Sequence, residues 1–209
     1  MTNFATKPTL YCARLRIFKN RREVDFMATT WIKPIHKNKG ASIGDTIEYV
    51  ENPDKTRSGE LVTGWQCNPR FADAEFVLAQ QKYTAQALRS QKGRGILAYH
   101  IRQSFKPGEI TPELANELGR ELAMRFTKNN HAFIVATHID KSHVHNHIIF
   151  SSVNLNCDKK FRNVIKSIRA IQRISDELCL EHGLSIIENP KPSRGYYGTW
   201  LGDKKKPTL

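Results

Sequence analysis

Residues 131–154, HAFIVATHIDKSHVHNHIIFSSVN, hold five of the chain's eight histidines. His143, His145 and His147 recur with period two, which on a β-strand projects all three from one face. If Lys141-Ser142 is the loop of a hairpin, His138 stands directly opposite His145, and Asp140 opposite His143. Directly opposed residues share a face, with Cβ atoms about 4.5–5.5 Å apart. A slip of one residue would pair His138 with Asn146 and scatter the cluster. In the intended register His138, His145 and His147 converge from two adjacent strands and leave other coordination positions open. A catalytic divalent metal needs that arrangement, whereas a structural zinc is closed by four protein ligands. His143 would line the rim, and Asp140 would orient a ligand histidine or sit near the reacting group. A lone strand histidine is ordinarily a surface or satisfied core residue, but burying four unpaired would be costly.

Positioning such a cluster requires a sheet, and the chain supplies one. Strands are expected over 28–35, 61–67, 95–105, 132–140 and 143–153, the last two joined by a tight connection. Ser42 caps a short helix with Ile43, Ile47 and Val50 on one face, ended by Asn52-Pro53. A second helix is expected over 71–90. Thr111-Pro112-Glu113 starts a third, with Leu114, Leu118, Leu122 and Phe126 every fourth residue. The last runs from Asn163 to Glu181, with Val164, Ile168, Ile171 and Leu178 inward and Gly183 beyond its end. The expected fold is α+β: an antiparallel sheet with flanking helices, the histidines on two adjacent central strands. One domain, 27–188, lies between a basic extension at 1–26 and a Pro/Gly/Lys tail at 189–209.

Composition narrows the partners. The 209 residues carry 33 Lys and Arg against 20 Asp and Glu, a net charge of +13. Residues 7–39 hold nine basic against two acidic side chains, and 158–173 six against one, so basic clusters flank the histidines on both sides. A polyanion, nucleic acid above all, is the expected partner. No run of 18 apolar residues could cross a membrane. Four cysteines without CxxC spacing suggest neither zinc ribbon nor disulfide framework, which fits a reducing, cytoplasmic setting.

Three motifs occur in a telling order: IEYVENPDKT (47–56), QSFKPGE (103–109), and HVHNH (143–147) preceded by His138. Together they resemble conjugative relaxases and mobilisation nucleases of the MobP/MobA-like type, within the HUH endonucleases. The resemblance implies an HUH sandwich and a tyrosine nucleophile, which the first motif places at Tyr49. It implies nicking of single-stranded DNA at a transfer origin, through a 5′-phosphotyrosyl intermediate and a free 3′-OH, for mobilisation of a plasmid or integrative element. Mn²⁺ or Mg²⁺ would be the ion, with Zn²⁺, Co²⁺ or Ni²⁺ as alternatives that imidazole ligands favour over Mg²⁺. A hairpin or duplex beside the nick, an accessory DNA-binding protein and a type IV coupling protein would be partners.

The residues themselves keep alternatives open. Tyr49 lies off the Ile43/Ile47/Val50 stripe, so it need not be core. Tyr83 reads as packing, Tyr99 as core or a stacking surface, and Tyr11, Tyr196 and Tyr197 lie in terminal segments. Lys55, Arg57, Arg102, Ser104, Lys159, Lys160 and Arg162 could contact DNA phosphates. Trp31, Trp65 and Trp200 could stack on unpaired bases, with core packing the default for the first two. A rolling-circle initiator or HUH transposase would share the chemistry, but initiators usually place the tyrosine after the histidines. A non-catalytic metal-containing DNA-binding module is the rival from another class.

Overall fold

The computed structural model describes residues 29–36, 42–86, 95–163 and 165–187. The extension 1–26, the tail 189–209, Tyr11, Val164, Tyr196, Tyr197 and Trp200 lie outside the described residues. Helix α1 (Ile43–Glu51) begins at a reciprocal cap: Ser42 Oγ accepts from the Asp45 amide at 3.0 Å, and Asp45 accepts from the Ser42 amide at 2.8 Å. Two otherwise unpaired amides are satisfied at once. Helix α3 (Pro112–Thr127) starts at Thr111, whose hydroxyl accepts from Leu114, and stops at Lys128 in the left-handed region. Helices α2 (Ala72–Gln86) and α4 (Ile165–Glu181) complete the set.

The strands are β1 (Thr29–His36), β2 (Val62–Trp65), β3 (Ile96–Ser104), β4 (Phe133–His138) and β5 (His145–Ser151). They form one antiparallel sheet in the order β1-β3-β5-β4-β2. Helices α3 and α4 cover one face, burying Leu118, Leu122, Ile171 and Leu178 against Ile101, Phe133, Ile148 and Phe150. On the other face Ile43, Ile47 and Val50 of α1 and Phe76 of α2 pack on Leu97, Ile134 and Ile149. Both layers match the expected α+β architecture. Strands β4 and β5 are buried throughout, being covered on both faces. Ile168, expected inward, is instead exposed, because α4 meets the core only from Ile171 onward. Among the described residues no helix is long and apolar enough to cross a membrane.

A polar row crosses the sheet within the α3/α4 layer. Thr30, Gln103, Asn146 and Thr137 are direct cross-strand neighbours on β1, β3, β5 and β4. Asn146 donates to Gln103 Oε1 at 3.1 Å and to the Ala115 carbonyl at 2.6 Å, and accepts from Thr137 at 2.7 Å. Ser175 of α4 accepts from Thr30 and Gln103; Asn116 of α3 donates to Thr137 and to the Leu61 carbonyl. Every member is buried or half-buried, so each bond broken would strand a polar group out of water. The row therefore pins the register that a purely apolar interface would leave free to slide.

Gly119 lets α3 approach this row. A Cβ there would lie 2.6 Å from Asn146 Nδ2 and 2.8 Å from Val135 Cγ1. Gly119→Val should push the helix off the sheet and cost about 1–3 kcal/mol of stability. Urea denaturation checks this: the midpoint should fall with an unchanged m-value.

Candidate active site

The β4–β5 register is the one the histidines require. His138 pairs directly with His145, and His147 with Ala136. The rings of His138 and His147 are 4.3 Å apart between centroids, and each lies 5.1 Å from that of His145. All three are buried, and one nitrogen from each lies within 4.8 Å of the others. The connection is wider than the sequence suggested. The strands stop at His138 and His145, so Asp140 and His143 sit in a six-residue loop, 139–144, and form no ladder pair. His143 still reaches the rim, its ring 5.2 Å from that of His145.

One nitrogen of each ring is already engaged. His138 Nε2 donates to the Val50 carbonyl at 2.8 Å, and His145 Nδ1 to the His143 carbonyl at 3.3 Å. His147 Nδ1 lies 2.7 Å from His100 Nε2. The two carbonyl bonds select the tautomer and leave His138 Nδ1 and His145 Nε2 as lone-pair donors, and His147 Nε2 joins them when Nδ1 donates to His100. His147 Nε2 is buried without any hydrogen-bond partner. A buried nitrogen left unpaired in this way suits a metal ligand. Burial also keeps the imidazoles neutral, as ligands must be. It pushes His145 and His100 down to about 4 and His147 lower still, with the neighbouring imidazoles and Arg102 adding to the effect. His138 is lowered by burial too, partly offset by the Val50 carbonyl and by Asp140.

Helix α1 brings Tyr49 to the cluster. The residue after it, Val50, supplies the carbonyl that grips His138. The following loop is tied to β4 by Ile139 donating to the Lys55 carbonyl and Thr137 to that of Leu61, each at 3.0 Å. Tyr49 is 56% exposed, with its ring centroid 6.0 Å from that of His138 and 6.2 Å from that of His147. Lys55 Nζ stands 3.7 Å from the Tyr49 ring centroid. Tyr49 thus belongs to neither buried apolar cluster and stands exposed beside the three imidazoles.

Comparison with known proteins agrees with this geometry. Residues 49–184 match the relaxase family described as MobA/VirD2-like, nuclease domain. The chain belongs to that family. It is 38% identical over 162 residues to a protein rlx of Staphylococcus aureus, covering 78% of this chain and 46% of that one. It is 29% identical over 213 residues to the group II intron-interrupted relaxase LtrB of Lactococcus lactis, covering 86% and 38%. The chain thus spans less than half the length of these relatives. The fold is shared with a MobM relaxase domain solved with Mn and plasmid pMV158 oriT DNA, at a TM-score of 0.58 and 11% identity. That match covers 85% of this chain and 99% of the other.

The remaining expectations divide by position in this relaxase-family domain. Arg102 is the direct cross-strand neighbour of His147, and Ser104 of His145. Arg102 Nε is buried without a hydrogen-bond partner, and the side chain makes no ion pair among the described residues. Arg57 is engaged by Glu113 in an exposed ion pair. Lys160 lies at the far end of the sheet, paired with Val153 and donating to the Ile96 carbonyl; Lys159 and Arg162 flank it there. The structure does not bring those three to the histidines. Tyr99 is buried on the opposite face, stacked on Phe150, and Tyr83 lies under Lys160. His131 is held at the far end of β5 by the Ser151 and Val153 carbonyls.

His100 is the residue that sequence reasoning missed. Its signal was present, for His100, Arg102 and Ser104 alternate on one strand and so share the cluster's face. Without knowing that β3 pairs with β5, nothing distinguished it from a core histidine. His100→Phe should keep the fold yet weaken Mn²⁺ binding about 10–100-fold, because His147 loses the group that orients it. His145→Ala, which removes a ligand outright, should weaken it further. Competition with a chromogenic chelator measures both.

Proposed function

We propose that this domain nicks one strand of DNA at a transfer origin, with Tyr49 as nucleophile, to mobilise a plasmid or integrative element. The observation that carries the reading is the exposed Tyr49 ring at the mouth of three buried imidazoles whose free nitrogens converge. In the proposed step the Tyr49 oxygen bonds to phosphorus, the bond to the 3′ oxygen breaks, and that oxygen leaves as a 3′-OH. The phosphotyrosyl product keeps a phosphodiester, so the strand can be rejoined without an external energy source.

His138, His145 and His147 would hold a divalent ion there. Such an ion supplies Lewis-acid polarisation of a phosphate oxygen. Mn²⁺ or Mg²⁺ fits the reading, and the Mn-bound MobM structure supports it by fold. Arg102 is beside His147, with Nη2 3.5 Å from His143 Nε2 and no ion pair among the described residues, and would supply positive charge for the phosphate's anionic oxygens. Lys55 steadies the Tyr49 ring and adds a cation on the side where the nucleophile stands. Asp140 adds negative charge beside His138, which favours a cation in the site. Ser104 lines the same end of β3. Lys159, Lys160 and Arg162 would serve a more distant stretch of DNA, and an accessory DNA-binding protein and a type IV coupling protein would act beyond this domain.

A covalent-adduct gel tests the reading. The protein is mixed with labelled single-stranded DNA from its element's transfer origin, with Mn²⁺, Mg²⁺ or EDTA. Adduct should form only with metal and should vanish in Tyr49→Phe, while DNA binding by that variant stays within about twofold of the parent. An adduct surviving Tyr49→Phe would move the nucleophile elsewhere. Tight binding with no adduct would favour the binding-module reading.

A further inference from the structure

Trp31 does not take the core role that was its default from sequence. Trp65 joins the core, stacked on Phe133, but neither buried apolar cluster includes Trp31. Trp31 is half-buried on β1, the edge strand of the sheet. Its cross-strand neighbour is Arg102, whose next neighbour is His147, so Trp31, Arg102 and His147 form one row on one face. Strands lie about 4.8 Å apart, which puts Trp31 about 10 Å from His147 along that row. The His100 ring meets the indole at 64° with centroids 5.3 Å apart, and exposed Lys33 holds its ammonium 5.1 Å from the indole centroid.

A half-exposed indole beside two cations, in line with the imidazole cluster, has the composition of a single-strand binding surface. Cations follow the backbone and an aromatic face takes a base. A stretch of about 10 Å corresponds to no more than about three nucleotides. We propose that Trp31 is the stacking platform for an unpaired base flanking the scissile phosphate, with Arg102 and Lys33 neutralising the phosphates on either side of it. The proposal rests on the nicking reading for which phosphate occupies the centre. It does not need cleavage to be tested.

The full chain is titrated with single-stranded oligothymidine at low salt in EDTA, reading tryptophan emission and the anisotropy of labelled DNA together. Stacking should quench emission on binding, and Trp31→Phe should abolish the quench while Trp65 and Trp200 continue to emit. Trp31→Phe should keep most of the affinity, whereas Trp31→Ala should lose about 5- to 100-fold. A matched oligonucleotide of abasic residues keeps the phosphates and removes the bases. Against that probe, parent and Trp31→Ala should bind alike, an equality that a purely structural role for Trp31 would not produce. Binding by the parent with a quench that persists in Trp31→Phe, or with Trp31→Ala unimpaired, overturns the platform alone. A parent that fails to bind the oligonucleotide at all overturns both the platform and the DNA reading.

Discussion

The site depends on one pairing, His138 against His145. Because strand side chains alternate faces, a shift of a single residue between β4 and β5 would turn His145 and His147 into the α3/α4 layer. The side chain that would replace them on the histidine face is the Asn146 amide, and its present bonds show why this does not happen. Asn146 is locked to Gln103, Thr137 and the Ala115 carbonyl on the opposite face. Apolar packing would tolerate sliding, since one branched side chain replaces another at small cost. A buried amide with three partners tolerates none, because each lost bond leaves a desolvated polar atom. The three imidazoles are thus aligned by a hydrogen-bond network that they do not touch.

The face carrying the histidines has the opposite electrostatic character. Its imidazoles are kept neutral by burial, while Arg102, Lys55 and Lys33 stand around them without an ion pair among the described residues. Cations left uncompensated beside neutral ligands repel one another, an arrangement that costs stability unless an anion arrives to complete it. A phosphodiester supplies that anion. Tyr49 and Trp31 stand on this face beside the histidines, belong to neither buried apolar cluster, and are each attended by a lysine. The proposed single-stranded DNA substrate would bring both the anion and the bases that this surface lacks.

Local periodicity determined much of this. The Ser42 and Thr111 caps, the apolar stripe of α1, and the strand bounds to within a few residues follow from short-range backbone and side-chain preferences. The histidine pattern even specified its own register, because only one pairing brings His138 to His145. Tyr49 was legible as non-core from its angle on the helix, and the family's motif order made it the proposed nucleophile. What local sequence could not decide was which strands are neighbours and which faces they share. Setting β3 beside β5 is a long-range choice, and it made His100 a partner of His147 and put Arg102 and Ser104 at the site. Setting β1 at the edge took Trp31 out of the core and onto the row that ends at His147. Lys159, Lys160 and Arg162, close to the histidines in sequence, were carried to the other end of the sheet by the length of β5. Proximity along the chain decides local conformation, but only the packing of distant segments decides which side chains meet.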